Sequence, residues 1–118
     1  MYKPTILIDL DGVLNEYGKE KQKQFDENFI PPMKKGANEF LERLSQYAEL
    51  KLFTTRNLLM ASKWLIDNKI DKYFTDVTNV KSKAYLHIDD RAICFNGDFK
   101  QTLKEIDKFK VYWKKEIN

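Results

Sequence analysis

The sequence predicts an α/β fold built on a mainly parallel sheet, and three observations carry that expectation. Short apolar runs of strand length, at 6–8, 50–53 and 84–88, alternate with segments whose apolar residues recur at helical spacing. Strands that alternate with helices are joined by right-handed crossovers, which gives a mainly parallel sheet covered on both faces. Polar residues also gather directly after three of the runs: Asp9 and Asp11, then Thr54, Thr55 and Arg56, then Asp89, Asp90 and Arg91. In a parallel sheet those ends lie on one edge, where a doubly wound fold opens its crevice.

The first strand, Ile6-Leu7-Ile8-Asp9, leads into Leu10-Asp11-Gly12-Val13-Leu14. Side chains alternate along a strand, so Asp9 and Asp11 are expected on one side and Leu10 on the other. Two close carboxylates repel and disfavour joint ionisation unless a cation or a shared proton compensates. Residues 15–30 form a polar insert with Gly18 inside it, read as a solvated flap; its lysines, Lys19, Lys21 and Lys23, are in position to attract an anion beside Asp9. Pro31-Pro32 closes the insert, and Met33, Ala37, Phe40, Leu41, Leu44 and Ala48 predict an amphipathic helix over 33–47.

The second strand is expected at 50–54, and Asn57 is placed to cap a helix over 58–68 whose buried side is Ala61, Trp64 and Leu65. A third strand is expected at 73–77, a fourth at 84–88 and a small fifth at 92–95. Asp98, after Asn96-Gly97, is read as the cap of a last helix with Phe99, Leu103, Ile106 and Phe109 on its apolar face; the course of 110–118 stays open. His87 lies inside the fourth strand and reads as a sheet-face or core residue. Cys94 reads as a small core residue.

A length of 118 residues suits one domain spanning 1–118, and eight Phe, six Tyr and two Trp within 42% hydrophobic content suffice for a core. A net charge of +3 over 18 acidic residues gives no specific signal for nucleic acid, and no apolar run is long enough to span a bilayer. One cysteine excludes an internal disulfide and fits a reducing compartment. The start, Met1-Tyr2-Lys3-Pro4, opens into a strand without signal-peptide architecture, so a cytoplasmic location is expected. There are no repeats, low-complexity tracts or linkers.

The polar strand ends, taken together, resemble the motifs of the haloacid dehalogenase (HAD) superfamily of phosphohydrolases. Asp9-Leu10-Asp11-Gly12-Val13-Leu14 matches the first motif, Thr54 after a hydrophobic strand the second, Lys81 the third, and Ile88-Asp89-Asp90 the fourth. The resemblance covers about residues 6–95 and implies a three-layer α/β/α Rossmann-like sheet of strand order 5-4-1-2-3. It implies Asp9 as nucleophile, forming an aspartyl-phosphate, and Asp11 as general acid and base. It also implies Mg²⁺ held by the Asp9 side chain, the Asp11 carbonyl and a carboxylate of the Asp89-Asp90 pair. Asp90 is favoured as the direct ligand, with Asp89 direct or through water. Thr54 would bond a phosphate oxygen, and Lys81 would neutralise phosphate and orient Asp9. Thr55, Arg56 and Arg91 are candidate substrate contacts, with Arg91 equally able to pair with a nearby acid.

The insert is too short for a cap domain, so a capless or minimal-cap enzyme with an open site is expected. Ser82 stands where the family often has proline, and Lys83 is a second candidate for the third motif. The strand-end variants are similar to the nucleotidase-like branch, which implies a nucleotide or phosphosugar as the phosphorylated substrate, with Tyr17 or Phe25 as aromatic partners of a base. A homo-oligomeric neighbour would serve to enclose a small substrate. A receiver-like phospho-acceptor is the first rival reading, but receivers carry the acidic pair on strand one and the phosphorylated Asp alone on a later strand. A catalytically idle binding module is the second.

Overall fold

The structure, a computed structural model, describes residues 3–19 and 26–114. Lys21, Lys23 and Phe25 of the insert lie outside the described residues. In chain order the elements are β1 (Thr5–Asp9), α1 (Ala37–Ser45), β2 (Glu49–Phe53), α2 (Leu58–Asp67), a 3-10 turn (Asp71–Tyr73), β3 (Phe74–Thr78), β4 (Leu86–Ile88) and α3 (Phe99–Lys108). The strands form one sheet of order β3-β2-β1-β4, and every pairing is parallel. The α/β class with a parallel sheet is therefore as expected.

The strand order departs from expectation at one end. Residues 92–95 form no strand, so the sheet stops at β4. The cause is local: the Asp89 side chain accepts the Arg91 backbone N–H at 2.9 Å, a side-chain turn that diverts the chain as it leaves β4. Cys94, expected in the core, is exposed.

The sheet buries one face against helices. Ile6 and Ile8 of β1 and Leu50 and Leu52 of β2 meet Ala37, Leu41 and Leu44 of α1 and Ala61, Trp64 and Leu65 of α2. On the opposite face Leu7, 1% exposed, stands in register with half-buried Lys51 and exposed His87. Helix α3 buries no residue, and Phe99 and Leu103 are 77% and 64% exposed. The apolar stripe predicted for this helix exists, but among the described residues α3 does not bury it against the sheet as a second helical layer would.

Helix starts follow their caps. The Asn57 side chain accepts from Leu59 and Met60 N–H at 3.0 and 3.1 Å, and Asp98 does the same for Lys100 and Gln101. Helix α1 begins at Ala37 rather than at 33. Met33 pairs with Asn15, and the Lys34 N–H bonds the Leu14 carbonyl at 2.7 Å, so this stretch is held against the loop that follows β1. Gly36, at φ 92°, then makes the turn into the helix. Among the described residues no helix is long and apolar enough to cross a membrane.

Candidate functional site

Strand β1 lies between β2 and β4, in register Asp9 with Phe53 and Ile8 with Ile88. The residues that follow each strand therefore emerge side by side at the carboxyl edge of the sheet. They line a cavity of about 350 Å³ walled by Asp9, Asp11, Tyr17, Phe53, Thr54, Thr55, Asp89, Asp90 and Arg91. Seven of the motif and strand-end candidates named from the sequence, and Tyr17 with them, thus share one cavity.

Carboxylate oxygens of Asp9, Asp89 and Asp90 lie within 4.8 Å of one another. Asp9 is half-buried there, and its carboxyl is pushed up to about 8. Burial is the largest cause; the Asp89 charge and the hydrogen bond and charge of Asp90 add to it, while the Leu10 backbone N–H pulls the other way. The donor set is all oxygen, as Mg²⁺ prefers, and opposite ligands on that ion stand about 4 Å apart. The three carboxylates fit such an ion with small side-chain adjustments or with one of them acting through water.

Asp11 lies on the same cavity but outside this cluster. The Arg56 guanidinium donates from Nε to its Oδ2 at 2.8 Å, and the Asn15 amide donates to its Oδ1 at 2.9 Å. Asn15 is fully buried and its Oδ1 accepts the Gly12 N–H, so one amide locks both the turn and the carboxylate. Arg56 Nη1 bonds the Phe29 carbonyl at 2.8 Å and the Asp26 carbonyl at 3.3 Å. Arg56, expected as a substrate contact, instead ties the end of the insert to Asp11 and is not on the cavity wall.

Thr54 is buried, and its hydroxyl accepts the Arg56 backbone N–H at 3.1 Å. Thr55 is exposed beside it. Lys81 is not brought to the cavity: it stands exposed in the loop before β4, as does Lys83. In that loop the Ser82 hydroxyl is buried without a partner. Among the described residues, the cation on the cavity wall is Arg91. Tyr17 also lines the wall; burial and then the Asp11 charge raise its phenol, with Arg91 and Arg56 opposing.

Sequence reasoning missed three residues here. Asn15 carried a signal, a lone amide directly after the first motif. Tyr112 and Trp113 carried none, because 112 and 113 lie far along the chain from the residues they meet. The Tyr112 hydroxyl donates to the Gly12 carbonyl, and the Trp113 indole N–H donates to Asp90 Oδ2.

No protein-family model matches the chain, and no curated protein matches it. Among solved structures, that of a conserved protein from Bacteroides thetaiotaomicron is similar, with a TM-score of 0.58 and 22% identity over 94% of this chain and 95% of that one. At that identity the likeness establishes a shared fold.

Proposed function

We propose that this chain is a Mg²⁺-dependent phosphatase that hydrolyses a phosphomonoester through an aspartyl-phosphate on Asp9. The observation that carries the reading is the convergence of Asp9, Asp89 and Asp90 within 4.8 Å, with Asp11 on the same cavity and fixed by Arg56 and Asn15. Three crowded carboxylates are electrostatically costly, and such cost is commonly retained where a cation and chemistry require it. The motif resemblance supports the same roles.

Asp9 would attack phosphorus, forming a bond from its carboxylate oxygen as the ester P–O bond breaks. The departing alkoxide takes its proton from Asp11. Water then attacks the phosphorus of the aspartyl-phosphate and yields a proton to Asp11, which restores both carboxyls and frees phosphate. When bound between Asp9, Asp90 and Asp89, Mg²⁺ would supply the positive charge that keeps Asp9 ionised and screens the phosphate oxygens. Thr54 and Thr55 stand at the next strand end as phosphate contacts, and Arg91 contributes the cation that Lys81 does not. Both oxygens of Asp11 are engaged, so the Arg56 or Asn15 contact must open for each proton transfer.

A cavity of about 350 Å³ with Tyr17 and Phe53 on its wall suits a small phosphomonoester such as a phosphosugar or a nucleoside monophosphate. The lone, exposed thiol of Cys94 fits a cytoplasmic setting. Release of p-nitrophenol from p-nitrophenyl phosphate with Mg²⁺ tests the reading. Turnover is expected to cease in EDTA and in Asp9→Asn. Retained turnover in Asp9→Asn would remove the nucleophile, and metal-independent turnover would remove the ion. Stable labelling by acetyl phosphate without turnover would mark a phospho-acceptor instead.

A further inference from the structure

We propose that the segment after α3, residues 109–114, is a strap over the site and that Trp113 is the residue that positions Asp90 for its cation. This rests on the phosphatase reading above and adds a part that neither the motifs nor the insert supplies.

The chain leaves α3 at Phe109, whose backbone is extended at φ −64° and ψ 133°, and returns to the loop behind β1. Two side chains anchor it there. The Tyr112 hydroxyl bonds the Gly12 carbonyl, and Lys34 Nζ lies 5.3 Å from the centre of the Tyr112 ring. Trp113 enters deeper. Its indole meets the Tyr17 ring edge-on at 4.9 Å, and the Arg91 guanidinium sits 5.2 Å from its ring. Room for the indole exists because Gly12 and Gly18 lack side chains: a Cβ on Gly12 would fall 2.9 Å from Trp113 Nε1, and one on Gly18 2.5 Å from its Cε3.

The indole N–H is donor only and has one acceptor, Asp90 Oδ2. That bond restricts the rotation of the Asp90 carboxylate, which stands with those of Asp9 and Asp89 in the acidic cluster. Partners that orient a metal ligand in this way typically contribute about 10- to 100-fold in metal affinity. Trp113 thus couples cavity wall, strap and ligand through one ring.

The test is Mg²⁺ binding by calorimetry to the full chain and to Trp113→Phe, together with tryptophan emission during the titration. Trp113→Phe keeps an aromatic ring and removes the N–H, and is expected to bind Mg²⁺ about tenfold or more weakly. Wild-type emission should change as Mg²⁺ binds, while Trp113→Phe, left with Trp64 in the core on the Pro31 carbonyl, should show no change. Equal affinity in the two proteins overturns the positioning role and leaves the phosphatase reading intact. Wild-type protein that binds no Mg²⁺ overturns the reading, and the role with it. Should Trp113→Phe fail to fold, the wild-type emission still decides: binding by calorimetry with a silent indole overturns the proposal.

Discussion

Arg56 and Asp11 are joined by a 2.8 Å contact from Nε to Oδ2, and the same guanidinium reaches the Phe29 and Asp26 carbonyls. The side chains are 9% and 23% exposed, so this is a partly buried pair rather than a surface one. It joins three segments that sequence alone keeps apart: the turn after β1, the start of α2 and the end of the insert.

Replacing Arg56 by Lys keeps the charge and loses the planar fork, which a single ammonium cannot replace across three acceptors. We expect Arg56→Lys to lower kcat on p-nitrophenyl phosphate by about 10- to 100-fold through misplacement of Asp11. Loss of charge-assisted hydrogen bonds should cost about 1–3 kcal/mol in urea unfolding. Unchanged kcat would remove Arg56 from the positioning of Asp11.

The Asp9 carboxyl gives a pH prediction with a definite sign. Its ordinary value is 3.8 and its value in the folded protein about 8, so between those limits the folded chain holds more protons than the unfolded one. Stability from this group is present below about 4 and is lost as pH rises through about 8. In EDTA, Asp9→Asn should therefore raise Tm relative to wild type, by more at pH 8 than at pH 5. Mg²⁺ should narrow that gap by stabilising wild type, since the cation takes over the proton's role. A Tm difference that is flat from pH 5 to 8 would contradict the assignment.

The sheet and its carboxyl edge were legible in the residues, because strand-length apolar runs and acids at their ends report burial and charge locally. Coverage of both sheet faces was expected, whereas in β2 only Leu50 and Leu52 are buried and Lys51 stands half-buried in register with Leu7. Helical spacing in α3 marked an apolar stripe but not what it would face. Arg56 looked like a substrate contact because its charge was visible and its partner, a carboxylate 45 residues earlier, was not. Lys81 matched a motif by order alone, and it stands exposed, off the cavity wall. Trp113 had no local signature, since its fit depends on two glycines and an aspartate from other parts of the chain.

Thr54 offers a smaller test. Its buried hydroxyl accepts the Arg56 N–H, and Thr54→Val preserves shape while orphaning that donor. A loss of about 1–3 kcal/mol is expected in urea unfolding, together with a raised KM if the hydroxyl also meets phosphate. A stability loss with unchanged KM would confine Thr54 to holding the turn.

Gly12 and Gly97 form a matched pair for the last prediction. Both sit at positive φ, 84° and 96°, so alanine at either position is strained by about 1–2 kcal/mol. They differ in what a side chain would meet. At Gly97 nothing lies within 4 Å, whereas at Gly12 the new Cβ would stand 2.1 Å from Asp90 Oδ2 and 2.9 Å from Trp113 Nε1. Gly97→Ala should lower stability by the backbone strain alone and leave Mg²⁺ affinity as in wild type. Gly12→Ala has to push Asp90 aside and break its bond to Trp113, so Mg²⁺ affinity should fall by about tenfold or more beyond any loss of stability. Calorimetry on the two variants separates the effects. Equal Mg²⁺ affinity in both would mean that the close approach of Gly12, Asp90 and Trp113 has no part in holding the ion.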